Sequence, residues 1–238
     1  MSATRRVTLP TGLENPLAAA LRGDFTADVA DGQHTVRATG PDPRFGFQAP
    51  VTAVHTTRQL STLTRTLTES RAVTLTNPLD LLSVATATTT RVLNGTTYTR
   101  AYTASNRTWV DTTPAGRSRT TTLDSLGRVA SVAVSGLAPI SFTRDATGLI
   151  TAVTEGMVPT ARTTTLGYDA ARRLTAITDP LARTVGFSYD DADRVTSQTF
   201  ADGRVVGFGY DANGNVTRVT PPSQPDHAFT YSPVDLAP

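Results

Sequence analysis

Asp190, Asp191 and Asp193 put three carboxylates within four positions, and residues 211–215 read Asp-Ala-Asn-Gly-Asn. That spacing is the first half of a loop that wraps calcium in oxygen ligands. Such a loop closes with a bidentate Glu and lies between two helices, and neither feature follows here. The other reading is that Asp and Asn form turns by accepting hydrogen bonds from backbone N–H groups just ahead of them. Their regular phase in the chain favours turns. His34, His55 and His227 show no ligand spacing with one another or with a carboxylate. No Gly-x-Ser-x-Gly elbow presents a nucleophile. Gly203, Gly207 and Gly209 fall in a strand pattern and its turn, not between a strand and a helix where a phosphate would sit. The residues therefore predict no catalytic site, no metal site and no cofactor. Phe187, Tyr189, Phe208 and Tyr210, followed by Phe229 and Tyr231, could stack against sugar rings. They could equally fix sheet register by cross-strand packing, at roughly 0.2–1 kcal/mol per pair. Register is the favoured role, and the first four remain candidate ligand-facing rings.

The elements that would position these residues recur. Asp124, Asp145, Asp169, Asp190 and Asp211 each close a run of alternating residues, and Ser232 holds the same place once more. The steps are 21, 24, 21, 21 and 21 residues, the differences between those positions. A constant period of this length marks a repeat architecture. Before the aspartates stand Leu166-Gly167-Tyr168, Phe187-Ser188-Tyr189, Phe208-Gly209-Tyr210 and Phe229-Thr230-Tyr231, with large residues two apart on one strand face. Three residues after the aspartates come Gly127, Gly148 and Gly214, suited to a positive φ, whereas Arg172 and Asp193 fill that slot elsewhere. Arg tolerates that conformation poorly, so the turn at Arg172 is expected to be the least regular. A second strand and a second turn complete each unit, as in Leu174-Thr175-Ala176-Ile177-Thr178 followed by Asp179-Pro180. Strands of about six residues, roughly 20 Å long, are expected. Toward the N-terminus the pattern loosens. Residues 60–68 and 73–76 alternate as strands, and Tyr102-Thr103 reads as a degenerate unit. Asn94-Gly95 is a strong two-residue hairpin signal. Residues 17–21 form the one helix-like run, too short to count as a helix.

Composition points the same way. The chain of 238 residues has 45 threonines, which suit strands yet keep their hydroxyls in water. Aromatics are only 6%, so sheet is affordable and a dry core is not. The expected fold is all-β: a repeat array of antiparallel β-hairpins in one extended curved sheet, wetted on part of both faces. A conventional sandwich or barrel is the alternative. Residues 1–50 read as an irregular segment with short strands, 51–119 as degenerate β repeats, and 120–238 as the regular repeats. All 22 basic residues are Arg and the net charge is only +2. They are scattered along the sequence, so no nucleic-acid footprint is visible. No cysteine is present, which excludes disulfides and thiolate metal sites. No apolar run is long enough to span a membrane, and no signal peptide is readable after Arg5-Arg6.

Tyr168-Asp169, Tyr189-Asp190 and Tyr210-Asp211, with Leu174-Thr175, Val195-Thr196 and Val216-Thr217, resemble the RHS/YD-repeat family. Asp124-Ser125-Leu126-Gly127-Arg128 matches without its Tyr. The resemblance is specific from about residue 120 to 232, loose from about 50 to 119 and weak before that. It implies a ribbon of about 21-residue YD repeats, a segment of the β-shell found in bacterial polymorphic toxins, insecticidal toxin complexes and animal teneurins. It also implies a secreted or cell-surface protein, here of bacterial type, whose shell encloses or displays a C-terminal toxin or effector. The expected partners are the remainder of that polypeptide and its effector domain. Nothing matches the family's self-cleaving core motif, so the expected role is structural and non-catalytic. A cell-surface adhesin or carbohydrate-binding repeat module is the alternative, with carbohydrate as its partner.

Overall fold

A computed structural model describes residues 2–8, 14–20, 24–28, 32–59 and 61–232; for residues 2–8, 14–20 and 25 it describes the backbone alone. Every regular element among the described residues is a strand. The chain divides into two compact units, Met1–Leu137 and Ala138–Pro238.

The first unit holds β1 (Ser2–Thr8), β2 (Glu14–Ala20), β3 (Phe25–Asp28), β4 (His34–Asp42), β5 (Gly46–Arg58), β6 (Thr64–Leu75), β7 (Val84–Leu93), β8 (Thr96–Thr103), β9 (Thr108–Thr112), β10 (Ser118–Leu123) and β11 (Val129–Val134). Each strand pairs antiparallel with the next in sequence. β5 runs 13 residues and β6 runs 12, twice the length expected. Of the two alternating stretches anticipated at 60–68 and 73–76, residues 64–68 and 73–75 belong to the single strand β6, while 61–63 and 76 lie in the turns that bound it. Continuous cross-strand pairing from Leu67–Leu93 to Leu75–Val84 carries that strand through Glu69, Ser70 and Arg71. The helix-like run at 17–21 is extended instead: β2 pairs with β1 through Ala20 and with β3 through Ala19, while Leu21, like Leu60, lies outside the described residues. Alanine's helix preference is weak against two ladders of hydrogen bonds. Asn94 and Gly95 form the tight β7–β8 turn, both with positive φ (47° and 84°), as a two-residue hairpin requires.

The second unit holds β12 (Ile140–Arg144), β13 (Ile150–Glu155), β14 (Arg162–Tyr168), β15 (Leu174–Thr178), β16 (Thr184–Tyr189), β17 (Val195–Thr199), β18 (Val205–Tyr210), β19 (Val216–Thr220) and β20 (His227–Ala228). Again each pairs antiparallel with its neighbour. The last repeat thins out: β20 keeps two residues, and Phe229 to Tyr231 carry no ladder. Among the described residues, the strands form one sheet and no pairing joins the first strand of either unit to its last, so the sheet is unclosed.

Cross-strand register sorts the side chains of the second unit onto two unlike faces. One carries Phe142 opposite Val153, Leu166 opposite Ile177, Ile177 opposite Val185 and Phe208 opposite Val219. The other carries Thr154 opposite Thr163, Thr178 opposite Thr184 and Gly207 opposite Thr220. Neither face is dry. No apolar side chain among the described residues is buried, and the single buried residue is Asp42. The accessible surface is 15803 Å², against roughly 10,000 Å² for a globular chain of this mass. Threonine makes such a one-layer sheet possible, since its hydroxyls pair across strands, as between Thr154 and Thr163 at 3.0 Å, and stay content in water.

Candidate functional site

The aspartates of the repeat all do the same thing. In each turn the backbone N–H three residues on donates to the aspartate carbonyl: Gly127 to Asp124 (3.1 Å), Gly148 to Asp145 (3.1 Å), Arg172 to Asp169 (2.9 Å), Asp193 to Asp190 (3.2 Å) and Gly214 to Asp211 (3.1 Å). The residue at that position has positive φ in every case. This is a three-residue hairpin loop, a type I turn followed by a left-handed residue. Arg172, at φ 68°, makes the same bonds as the glycines, so its turn is not the irregular one expected. Its guanidinium donates to the carbonyl of Thr147 (3.3 Å), and the ladders on either side hold the backbone there.

The carboxylates themselves are occupied. Oδ1 of Asp190 accepts the N–H of Ala192 and of Arg194, and Oδ2 accepts Nε of Arg194 at 2.8 Å. Asp124 is met in the same way by Leu126 and Arg128, and Asp169 by Arg173. In the stretch that resembles a calcium loop, Asp211 takes the N–H of Asn213 and Asn215 and the Nδ2 of Asn215. No group among the described residues gathers three or more metal-ligating side chains. The turn bonds hold the carboxyls below their ordinary range. The largest cause is the Arg194 backbone N–H for Asp190, the Arg173 backbone N–H for Asp169, and the Asn215 side chain for Asp211.

The tyrosines stitch each repeat to the one before. Tyr168, Tyr189, Tyr210 and Tyr231 donate through their hydroxyls to the carbonyls of Ile150 (2.8 Å), Leu174 (2.7 Å), Val195 (2.8 Å) and Val216 (2.9 Å). These acceptors share one feature. Tyr168 pairs with Leu174 while Gly167 pairs with Ala176, leaving Thr175 as a bulge. Ile150, Val195 and Val216 sit at matching register shifts. A bulge interrupts the ladder, and the next repeat's tyrosine supplies the irregular strand with a donor. The arginines reach the other way, to the repeat that follows. Nη1 of Arg173 donates to the carbonyl of Asp190 (2.8 Å), and Nη1 of Arg194 to that of Asp211 (3.0 Å). Each also lies over the next tyrosine ring, at 5.0 Å for Tyr189 and 4.8 Å for Tyr210, a favourable cation–ring geometry. Phe187, Tyr189, Phe208 and Tyr210 are half-buried within this lattice.

The sequence matches the Teneurin YD-shell family over residues 39–234. The chain belongs to that family. No curated protein matches it. Solved structures share the fold at low identity. A chain of the crystallised TcdB2-TccC3-Cdc42 complex matches with TM-score 0.56 and 11% identity, covering 99% of this chain and 15% of that one. A chain of the Photorhabdus luminescens Tc holotoxin pore matches with TM-score 0.54 and 11% identity over 95% of this chain and 13% of that one. The present chain therefore spans about a seventh of the structures it resembles. It is a structural shell-type segment, all-β and built of repeats.

A second locus lies in the first YD-shell unit, where no motif announces it. Strands β5 to β9 form a pocket of about 630 Å³ lined by His55, Arg65, Glu69, Arg91, Tyr98 and Arg100 among others. Register assembles it: Glu69 lies opposite Arg91, Arg91 opposite Tyr98, and Arg100 opposite Asp111. Glu69, with only 9% of its side chain exposed, takes Nε of Arg91 at 2.7 Å and Nε of Arg71 at 3.0 Å. Burial pushes its carboxyl up, and the two guanidinium groups outweigh burial and hold it low. Asp111 takes Nη2 of Arg119 at 2.8 Å. Arg100 stacks at 4.5 Å on Trp109, which also packs against Tyr102 with ring centroids 4.8 Å apart. The arginines are dispersed in sequence, so a linear reading misses the cluster. Alternate charged positions in 65–71 were the available signal.

Proposed function

We propose that the chain is a non-catalytic length of wall in an RHS/YD-repeat shell that encloses or displays a C-terminal toxin or effector, in a protein that is secreted or held at the cell surface. The observation that carries this reading is the stitching of repeat to repeat. Tyrosine hydroxyls, arginine Nη1 groups and aspartate turns all satisfy neighbouring backbone, so the conspicuous side chains are engaged in holding the ribbon together. Stability of such an array grows by nearest-neighbour contacts, which suits a wall extended unit by unit. The partners are then the remainder of the polypeptide and the segment it shelters. Membership of the YD-shell family over residues 39–234 supports the structural part. Among the described residues, no helix is long and apolar enough to cross a membrane. The aromatic ladder as a glycan platform is the weaker reading, since its tyrosine hydroxyls are already bonded within the sheet.

The test is protease protection of the longest polypeptide that contains this chain. The region C-terminal to the repeats is expected to resist digestion until denaturant opens the wall. Digestion of that region at the same rate as the separately expressed region would refute enclosure.

A further inference from the structure

We infer that the pocket of the first unit binds an acidic sugar, a hexuronic-type ring whose carboxylate docks on Arg65 and Arg91 while its ring face lies on Tyr98. The pocket has the volume of a small-ligand site. Three of its lining residues are arginines against two carboxylates, and the carboxylates are already committed. Glu69 is shared by Arg91 and Arg71, and Asp111 by Arg119 and Arg100. Arg71 is held further by Asp42, at 3.9 Å. These contacts fix the guanidinium groups without consuming them. Arg91 spends Nε on Glu69 and stays 55% exposed, which leaves its outer N–H pairs for a bidentate carboxylate. Arg65, two residues from Leu67 on the same face, is exposed, and its side chain makes no hydrogen bond or ion pair among the described residues.

The other walls select a sugar over a plain anion. Tyr98, 41% exposed, stands directly opposite Arg91, so the two side chains lie within about 5 Å at Cβ. An aromatic face beside a guanidinium suits a molecule with one apolar C–H face and one acid group. Leu67 and Leu93 supply an apolar floor, and the Thr89 hydroxyl, opposite Arg100 on the same face, supplies a donor and acceptor for ring hydroxyls. An acidic peptide would use the charge but not this combination.

Calorimetric titration of the full chain with trigalacturonate tests the assignment, beside maltotriose, tricarballylate and hexaglutamate. Saturable binding of trigalacturonate is expected, weakening as salt rises, with maltotriose and tricarballylate at least tenfold weaker. Arg65→Gln, which removes no side-chain hydrogen bond or ion pair of the fold, should weaken binding about tenfold. Tyr98→Ala should also weaken it severalfold, while Tyr98→Phe should bind as the parent does. No saturable binding, equal binding of tricarballylate, tighter binding of hexaglutamate, or an unchanged Arg65→Gln protein would each overturn the proposal.

Discussion

A tyrosine hydroxyl 2.7 Å from a carbonyl of the preceding repeat is the smallest unit of cohesion in this molecule. Tyr189→Phe keeps the ring under Arg173 and removes only the bond to Leu174. It should cost about 1 kcal/mol, the net worth of one such hydrogen bond, measured by urea unfolding. A loss no larger than the error of that measurement would mean that water replaces the phenol at the bulge. The position three residues after each aspartate gives a second test. Gly214 sits at φ 92°, where a Cβ is disfavoured, so Gly214→Ala should destabilise by about 1 kcal/mol. Arg172 already bears that strain at φ 68°, so Arg172→Gly should leave stability equal or higher, despite the lost contact with Thr147. The aspartates add a pH dependence. Asp124, Asp169, Asp190 and Asp211 bind protons less readily folded than at their ordinary value of 3.8. Their contribution is therefore complete above that value and is lost as pH falls through the lowered folded values. The melting temperature should hold from neutrality to about pH 5 and drop below about pH 4. Asp190→Asn should soften the acid drop, and an identical acid limb would show that the turn carboxylates do not drive it.

At the scale of the element, hairpin and bulge work together. The three-residue loop fixes where each strand begins, and the bulge opposite the tyrosine re-aims the returning strand. Glycines on the polar face test how tightly the strands pack. A Cβ added at Gly186 would meet nothing closer than 3.8 Å, whereas at Gly209 it would lie 3.3 Å from Cβ of Arg218. Gly186→Ala should stabilise by roughly 0.5–1 kcal/mol, because glycine in a strand interior gives up more backbone freedom on folding. Gly209→Ala should gain nothing, and a reversed order in thermal melts would contradict the packing described. These elements were legible in the sequence wherever turn chemistry is written into residue type. The aspartate phase, the glycines at 127, 148 and 214 and the Asn94-Gly95 pair all mark their turns directly. The 12 residues of β6 were not legible as one strand, because Glu69-Ser70-Arg71 looks like a loop until cross-strand partners claim it. The pocket in the first unit was hidden for the same reason. Its residues meet only through register across β6, β7 and β8, and register there depends on pairing rather than on any local signal.

For the whole molecule, the absence of buried apolar side chains among the described residues decides how it behaves. A globular domain gains most of its stability from a dry core. Here the gain comes from ladders, stitches between repeats and one half-covered face, so each repeat depends chiefly on its neighbours. Unfolding should therefore be graded. Amide exchange is expected to be slowest at β16 and β17 (Thr184–Tyr189 and Val195–Thr199), which have stitched repeats on both sides, and faster at β12 and β20. Uniform protection across the second unit, with calorimetric and van't Hoff enthalpies equal, would mean one cooperative domain and would contradict the picture. The same architecture exposes both the apolar face and the outermost strands of an unclosed sheet. Exposed strands recruit other strands, and the half-exposed Phe229 and Val205 add apolar contact. The isolated chain should therefore sediment with an average mass that rises with concentration, and substituting Arg for Val205 at the polar face should lower that association without disturbing the tyrosine stitches. A monomer that keeps one mass at every concentration would show that these surfaces are covered within a single chain.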